Sequence, residues 1–263
     1  MSLQNLLSFC HASCGTYLDA FADEKALADK GLTPVLFGSH YTISPLLFDR
    51  AALDFPMRQY SWCTGVGRTC VDIYRILETA DSQRSVLVTG VTRTVCMDFA
   101  RRISVPFPDC ESRRISPTLP PGACRFPFVN VPESAPVGAF SAVIKVRHDD
   151  MDFNWHSNQA SYTAFALECA AQAAAAGRYS RIRDDIAFYR ALSLTCVHLG
   201  ESFAGDELNV STWEDVDNAM LLHFLVHRQR QRISYIKTAF DENVIASKLW
   251  WGCSWRSPSY HLF

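Results

Sequence analysis

The sequence lacks most of the signatures that announce a function at sight. No Cys-x-x-Cys pair occurs among its ten cysteines, which argues against a zinc ribbon or a thioredoxin-type redox site. No Gly-x-Ser-x-Gly elbow is present, so an α/β-type serine hydrolase is a poor fit. No His-Glu-x-x-His zinc helix exists, and Gly65-Val-Gly67 lacks the rest of a phosphate or dinucleotide loop. No run is apolar and long enough to span a bilayer. The opening residues lack the basic start and long apolar stretch of a secretory signal, and Asp19, Asp23 and Glu24 are foreign to a mitochondrial leader. The last seven residues are not a Ser-Lys-Leu tail. Charge of one sign is also missing: a net charge of -2 argues against a general nucleic-acid binder, whose affinity comes from excess Lys and Arg. The expected location is the cytosol, where scattered cysteines read as small apolar core residues rather than disulfides.

What is present is apolar mass. The 263 residues are 48% hydrophobic and 20% charged, enough for one large core or two small packed domains. Residues 1–37 read as helical, with Leu3, Leu6, Leu7 and Cys10 at helical spacing and Gly31 and Pro34 as terminators. A strand-rich stretch follows over 41–62. Residues 68–79 read as a helix with Val71, Tyr74, Ile76 and Leu77 on its apolar face. Residues 85–96 are rich in β-branched side chains and read as a strand. Between 111 and 139 six prolines, from Pro117 to Pro136, make a linker.

The second half opens with a strand over 140–148. An alanine-rich helix spans about 158–177, with Gly177 placed to cap it. Strands are expected over 193–202, 207–212, 221–237 and 244–251. A faint internal echo lays Leu53-Asp54-Phe55-Pro56-Met57-Arg58 on Met151-Asp152-Phe153-Asn154-Trp155-His156. It would leave Pro56 and Arg58 where the second copy has Asn154 and His156.

The chemistry concentrates in 147–162, between a strand and a helix. Asp152, Asn154 and His156 alternate, so an extended backbone would point all three the same way. A helix starting near Asn158 offers free backbone N–H groups, a natural oxyanion site. Acyl-transfer hydrolysis needs those parts: a donor to polarise the carbonyl, a hole for the oxyanion and a group to take a proton from water. His156 also reads as a structural histidine at a strand end, Asn158 as a plain helix cap, and Tyr162 as packing. Glu168 either faces the site or is a solvated helix acid. Arg228, Arg230 and Arg232 alternate on one expected strand face, either solvated or in contact with the phosphates of a substrate's carrier group.

The run Asp150-Met-Asp-Phe-Asn-Trp-His-Ser-Asn-Gln-Ala-Ser-Tyr162 resembles the motif of the hotdog-fold acyl thioesterases, most of all the plant acyl-ACP thioesterases. Asp152, Asn154, His156, Asn158 and Tyr162 all stand in matching places. The likeness is specific over 147–168, looser to Trp251, and weak in the first half, where 68–80 is similar to the family's first-half helix. That alignment competes with the echo at 53–58. In the family an acid-cysteine pair follows the helix. Its nearest counterpart here is Glu201-Ser202, which keeps the acid and replaces the thiol, and so favours water over a thiol nucleophile.

The resemblance implies an α+β double hotdog, two long helices each wrapped by a curved antiparallel sheet. It divides the chain into a helical extension (1–37), a degenerate first hotdog (38–110), a linker (111–139) and a second hotdog carrying the site (140–263). It implies hydrolysis of acyl-CoA or acyl-ACP by activated water, with Asp152, Asn154, His156 and Glu201 catalytic and Asn158, Ser202 and Glu168 in support. No metal or redox cofactor is implied, and a homodimer is compatible with it. Two other readings remain: a non-hydrolytic acyl-binding module, and a hotdog hydratase or dehydratase acting on enoyl thioesters.

Overall fold

The computed structural model describes residues 24–48, 56–108, 118–152 and 155–244. Strand β1 (Leu32–Ile43) lies antiparallel to β7 (Tyr189–His198), with His40 opposite Thr195. Outward from β1 run β4 (Val86–Asp98), β3 (Cys70–Thr79) and β2 (Met57–Val66). Outward from β7 run β10 (Gln231–Val244), β9 (Leu221–Arg228) and β8 (Glu207–Glu214). Short β5 (Ile103–Ser104) pairs with the end of β4, and β6 (Phe140–Lys145) closes the far edge beside β8. The ten strands make one antiparallel sheet whose two arms repeat the same order about the β1–β7 seam.

One face of the sheet holds the helices. Helix α1 (Glu24–Ala28) sends Leu27 into a cluster with Cys63, Val71, Ile73 and Cys96. Helix α2 (Gln159–Ala175) starts on Asn158, whose Oδ1 accepts from the Ala160 N–H at 2.9 Å, and a left-handed Gly177 at φ 64° follows its end. Its buried face is mostly alanine, with Ala160, Ala166, Ala170 and Ala173 letting the helix lie close to the sheet. Phe165 adds the bulk; burying such a ring contributes about 1.5–3 kcal/mol. The cluster around α2 crosses the seam and includes Tyr41, Leu77 and Leu87 together with Leu194, Phe224 and Ile236. Among the described residues no helix is long and apolar enough to cross a membrane.

The other face carries the proline-rich segment. Phe126 packs with Tyr74, Val91 and Val197, and a Cβ at Gly38 would meet the Phe126 ring at 2.7 Å, so only glycine lets the segment settle there. Arg93 forks onto Asp72 at 2.7 and 2.8 Å and lies over the Phe126 ring at 5.4 Å.

Several expectations change. Residues 70–79 are strand β3, not a helix. Val71, Ile73 and Leu77 face the helices, while Tyr74 and Ile76 face the proline-rich segment. A strand covered on both sides shows no apolar-polar alternation, which is why its pattern passes for a helical one. The stretch 221–237 is two strands, because Gln229 turns the chain at φ 56°. Helix is confined to Glu24–Ala28 within the described part of 1–37, and β1 begins at Leu32. Residues 1–23, and most of the strand expected over 244–251, lie outside the described residues. Met57 and Arg58 of the echo open β2, whose counterpart across the seam is β8, whereas Trp155 and His156 precede α2; residues 53–55 lie outside the described residues.

Candidate functional site

The segment before α2 is a tight hairpin rather than an extended run. Met151 bridges Ser157, the Asp152 N–H donates to the His156 carbonyl at 2.9 Å, and the Trp155 N–H donates to the Asp152 carbonyl at 3.1 Å. Trp155 takes φ 63° at the tip and is 77% exposed. Asp152 and His156 therefore meet across the hairpin, not along a strand. Asp152 Oδ2 lies 3.4 Å from His156 Nδ1, and both side chains are partly open to solvent. This orients the ring and leaves Nε2 as the edge available to a ligand. Asn154 lies outside the described residues.

The hairpin is tied to α2 and to the β7–β8 connection. Asp150 is buried; its carbonyl accepts from the Asn158 N–H at 2.8 Å and the Ser161 hydroxyl at 3.0 Å. Its Oδ2 accepts from the Arg147 N–H at 2.7 Å. The Ser157 N–H donates to the Ser202 carbonyl at 2.8 Å, and the two Oγ atoms are 2.8 Å apart. Tyr162 closes the group with its hydroxyl 3.0 Å from Ser202 Oγ. Burial pushes the Tyr162 phenol up, so it stays a neutral partner.

Ser202 is fully buried, and its hydroxyl bonds the hydroxyls of Ser157 and Tyr162. Its place is that of a clasp between two loops. Glu201, beside it, is turned toward the first arm. Arg102, in the β4–β5 turn at φ 57°, donates from Nη1 to Glu201 Oε1 at 2.8 Å. The clasp joins the loop that carries Glu201 to the hairpin that carries Asp152 and His156 through Ser202 and Ser157.

The other expected residues separate from this group. Asn158 is the α2 cap. Glu168 is exposed and accepts from Gln172 at 2.9 Å. The three arginines do not share a strand face: Arg228 pairs with Asp206 at 3.2 Å over the Phe203 ring, Arg230 sits in the exposed turn, and Arg232 donates to the Pro132 carbonyl at 3.1 Å. The sequence reading missed Arg102 and the Ser157–Ser202–Tyr162 clasp; no local pattern marks either. Two thiols are buried where α2 meets the sheet, Cys169 on the helix and Cys196 on β7, and burial pushes both up to about 12, which leaves them unreactive as nucleophiles.

No protein-family model matches the sequence, and no curated protein matches it. Solved structures do. An acyl-ACP thioesterase from Bacteroides thetaiotaomicron is similar over 92% of this chain and 90% of its own, at 15% identity and a TM-score of 0.67. A 12:0-ACP thioesterase from Umbellularia californica is similar over 92% and 90%, at 13% identity and a TM-score of 0.67. The large antiparallel sheet and nine-tenths coverage make one conclusion: the chain has the hotdog-type fold of acyl-ACP thioesterases.

Proposed function

We propose that the chain is a thioester hydrolase acting on acyl-CoA or acyl-ACP by activated water. The observation that carries the reading is the Asp152–His156 pair set directly before the α2 N-terminus. The positive end of the α2 dipole there stabilises an oxyanion, while Asn158 already holds the Ala160 N–H. His156, oriented by Asp152, takes a proton from water as its oxygen bonds to the acyl carbon. The C–S bond then breaks, the thiol leaves with a proton, and a carboxylic acid remains. Asn154 binds the water or the carbonyl. Glu201, held by Arg102, is the second carboxylate. Ser202 takes no covalent part, since its hydroxyl is engaged in the clasp.

The architecture that fits is two hotdog units, over 38–110 and 140–263, joined by the linker at 111–139. The first unit gains the start of β1 at Leu32. Free cysteines at 63, 70, 96, 124, 169 and 196 fit a reducing compartment such as the cytosol.

The test is thiol release from acyl-CoA and acyl-ACP panels of varied chain. Hydrolysis with a clear optimum supports the reading. Consumption of enoyl thioesters without thiol release replaces it with hydration, and silence with bound acyl thioester replaces it with an acyl-binding module.

A further inference from the structure

Arg75 is 4% exposed in the middle of β3. Its neighbours on that face, Ile73 and Leu77, belong to the two apolar clusters beneath the helices, so the guanidinium lies between them. Nη1 donates to the Thr92 hydroxyl at 2.5 Å, and the buried Nε has no hydrogen-bond partner. Among the described residues no carboxylate pairs with it. One hydroxyl does not offset the desolvation of a buried cation.

The repeat about the seam makes the position stranger. One residue past the His40–Thr195 pair, Tyr41 lies opposite Gly90, and Gly90 opposite Arg75. In the other arm Cys196 lies opposite Ile236, and Ile236 opposite Phe224. Arg75 therefore holds the position that a fully buried core phenylalanine holds in the second arm. A position with no task beyond packing takes an apolar side chain, as Phe224 shows.

A row of small polar side chains leads from α2 to this cation. Thr163 Oγ1 lies 3.7 Å from Cys196 Sγ. Cys196 stands opposite Ser39, Ser39 opposite Thr92, and Thr92 accepts from Arg75. From β7 to β4 is two strand spacings, about 10 Å. A carbonyl held at the start of α2 would place the far end of a medium-length acyl chain within reach of Arg75.

The geometry points to Arg75 as the binding position for a carboxylate at the far end of the acyl group, so that the preferred substrates are ω-carboxyacyl thioesters. This rests on the thioesterase reading for the reaction but not for the binding. A carboxylate there would fork onto the guanidinium and neutralise a charge that no carboxylate among the described residues meets.

The experiment compares kcat/KM for suberoyl-CoA and octanoyl-CoA in wild type, Arg75→Met and Arg75→Lys. It also measures the melting temperature of each with free suberate and free octanoate. Wild type should prefer suberoyl-CoA by about tenfold to a hundredfold, the range of a charge-assisted hydrogen bond. Arg75→Met should reverse the preference and melt no lower than wild type, and Arg75→Lys should keep part of it. Suberate should raise the melting temperature of wild type and not of Arg75→Met. If suberate stabilises but no thioester is cleaved, the hydrolase reading falls and the carboxylate site stands. Equal rates for both substrates with no suberate effect would overturn the site. So would an Arg75→Met that melts far lower together with an equally weakened Asp19→Asn or Asp23→Asn, since Arg75 would then pair within its own chain.

Discussion

Arg102 and Glu201 meet at 2.8 Å across the two arms of the sheet. The arginine comes from a left-handed turn after β4, the acid from the loop that Ser202 clasps to the hairpin before α2. The candidate site is thus built from both arms.

Glu201→Gln should lose most turnover, because it keeps the shape and removes the charge that Arg102 orients. Arg102→Met should lower turnover as well, while its cost in stability stays under about 1 kcal/mol, since the pair is partly exposed. Steady-state rates beside melting curves check both. Full activity in Glu201→Gln would take the residue out of the mechanism.

Ser202→Ala should behave in the opposite way. It leaves the Ser157 and Tyr162 hydroxyls without their shared partner, at a cost of about 1–3 kcal/mol. The folded fraction should keep most of its activity. Intact-mass analysis during turnover should find no acyl adduct on wild-type Ser202; a dead variant together with an adduct would make this a covalent enzyme.

His156→Ala should reduce turnover at least about a hundredfold, the usual loss on removing a positioned acid–base group. Its melting temperature should barely move, because the side chain is partly exposed and its contacts, to Asp152 and to the Ser157 carbonyl, are both long at 3.4 Å. Near-normal turnover would return His156 to a structural role.

Gly38→Ala should weaken the hold of the proline-rich segment. The added Cβ would meet the Cys196 carbonyl at 2.6 Å and the Phe126 ring at 2.7 Å, neither of which can move freely. A loss of about 1–3 kcal/mol is expected, as for other overpacked sites. Denaturant melts measure it, and faster proteolysis near Arg125 should accompany it.

Stability should fall on mild acidification. Burial lowers the pKa of His40, His223 and His227 below the ordinary 6.5, so each is neutral when folded and takes up a proton more readily when unfolded. Their contribution is therefore full above that value and is lost as pH drops toward the folded values. His223 sits between Asp215 at 2.9 Å and the Tyr235 hydroxyl at 2.6 Å. His223→Phe should flatten part of the slope. Melting temperatures across pH 5 to 8 would decide it, and a wild-type curve that rises with acid would refute the account.

Helix α2 was legible because its cues are local: alanines, Asn158 before it and Gly177 after it. The polar run at 150–158 stands out for the same reason, although the hairpin that pairs Asp152 with His156 depends on Trp155 adopting a positive φ that no residue type there advertises. Strand β3 was not legible, because burial on both faces erases the alternation by which strands are read. The stretch 221–237 hid its hairpin behind Arg228-Gln229-Arg230, which lacks the glycine or asparagine that usually marks a turn. Arg102 was out of reach because its partner stands 99 positions away. Arg75 looks ordinary until the repeat sets it beside Phe224.

The seam also dictates an order of assembly. His40 hydrogen-bonds Thr195 at a separation of 155 residues, and loop closure over such a distance is entropically slow. During synthesis, β1 through β4 can pair long before β7 exists, with the edge of β1 left open to strangers. In the proposed mechanism Glu201 of the late arm works with Arg102 of the early one, so activity should arrive only with the final docking event. Its time course during refolding would lag behind the recovery of strand content.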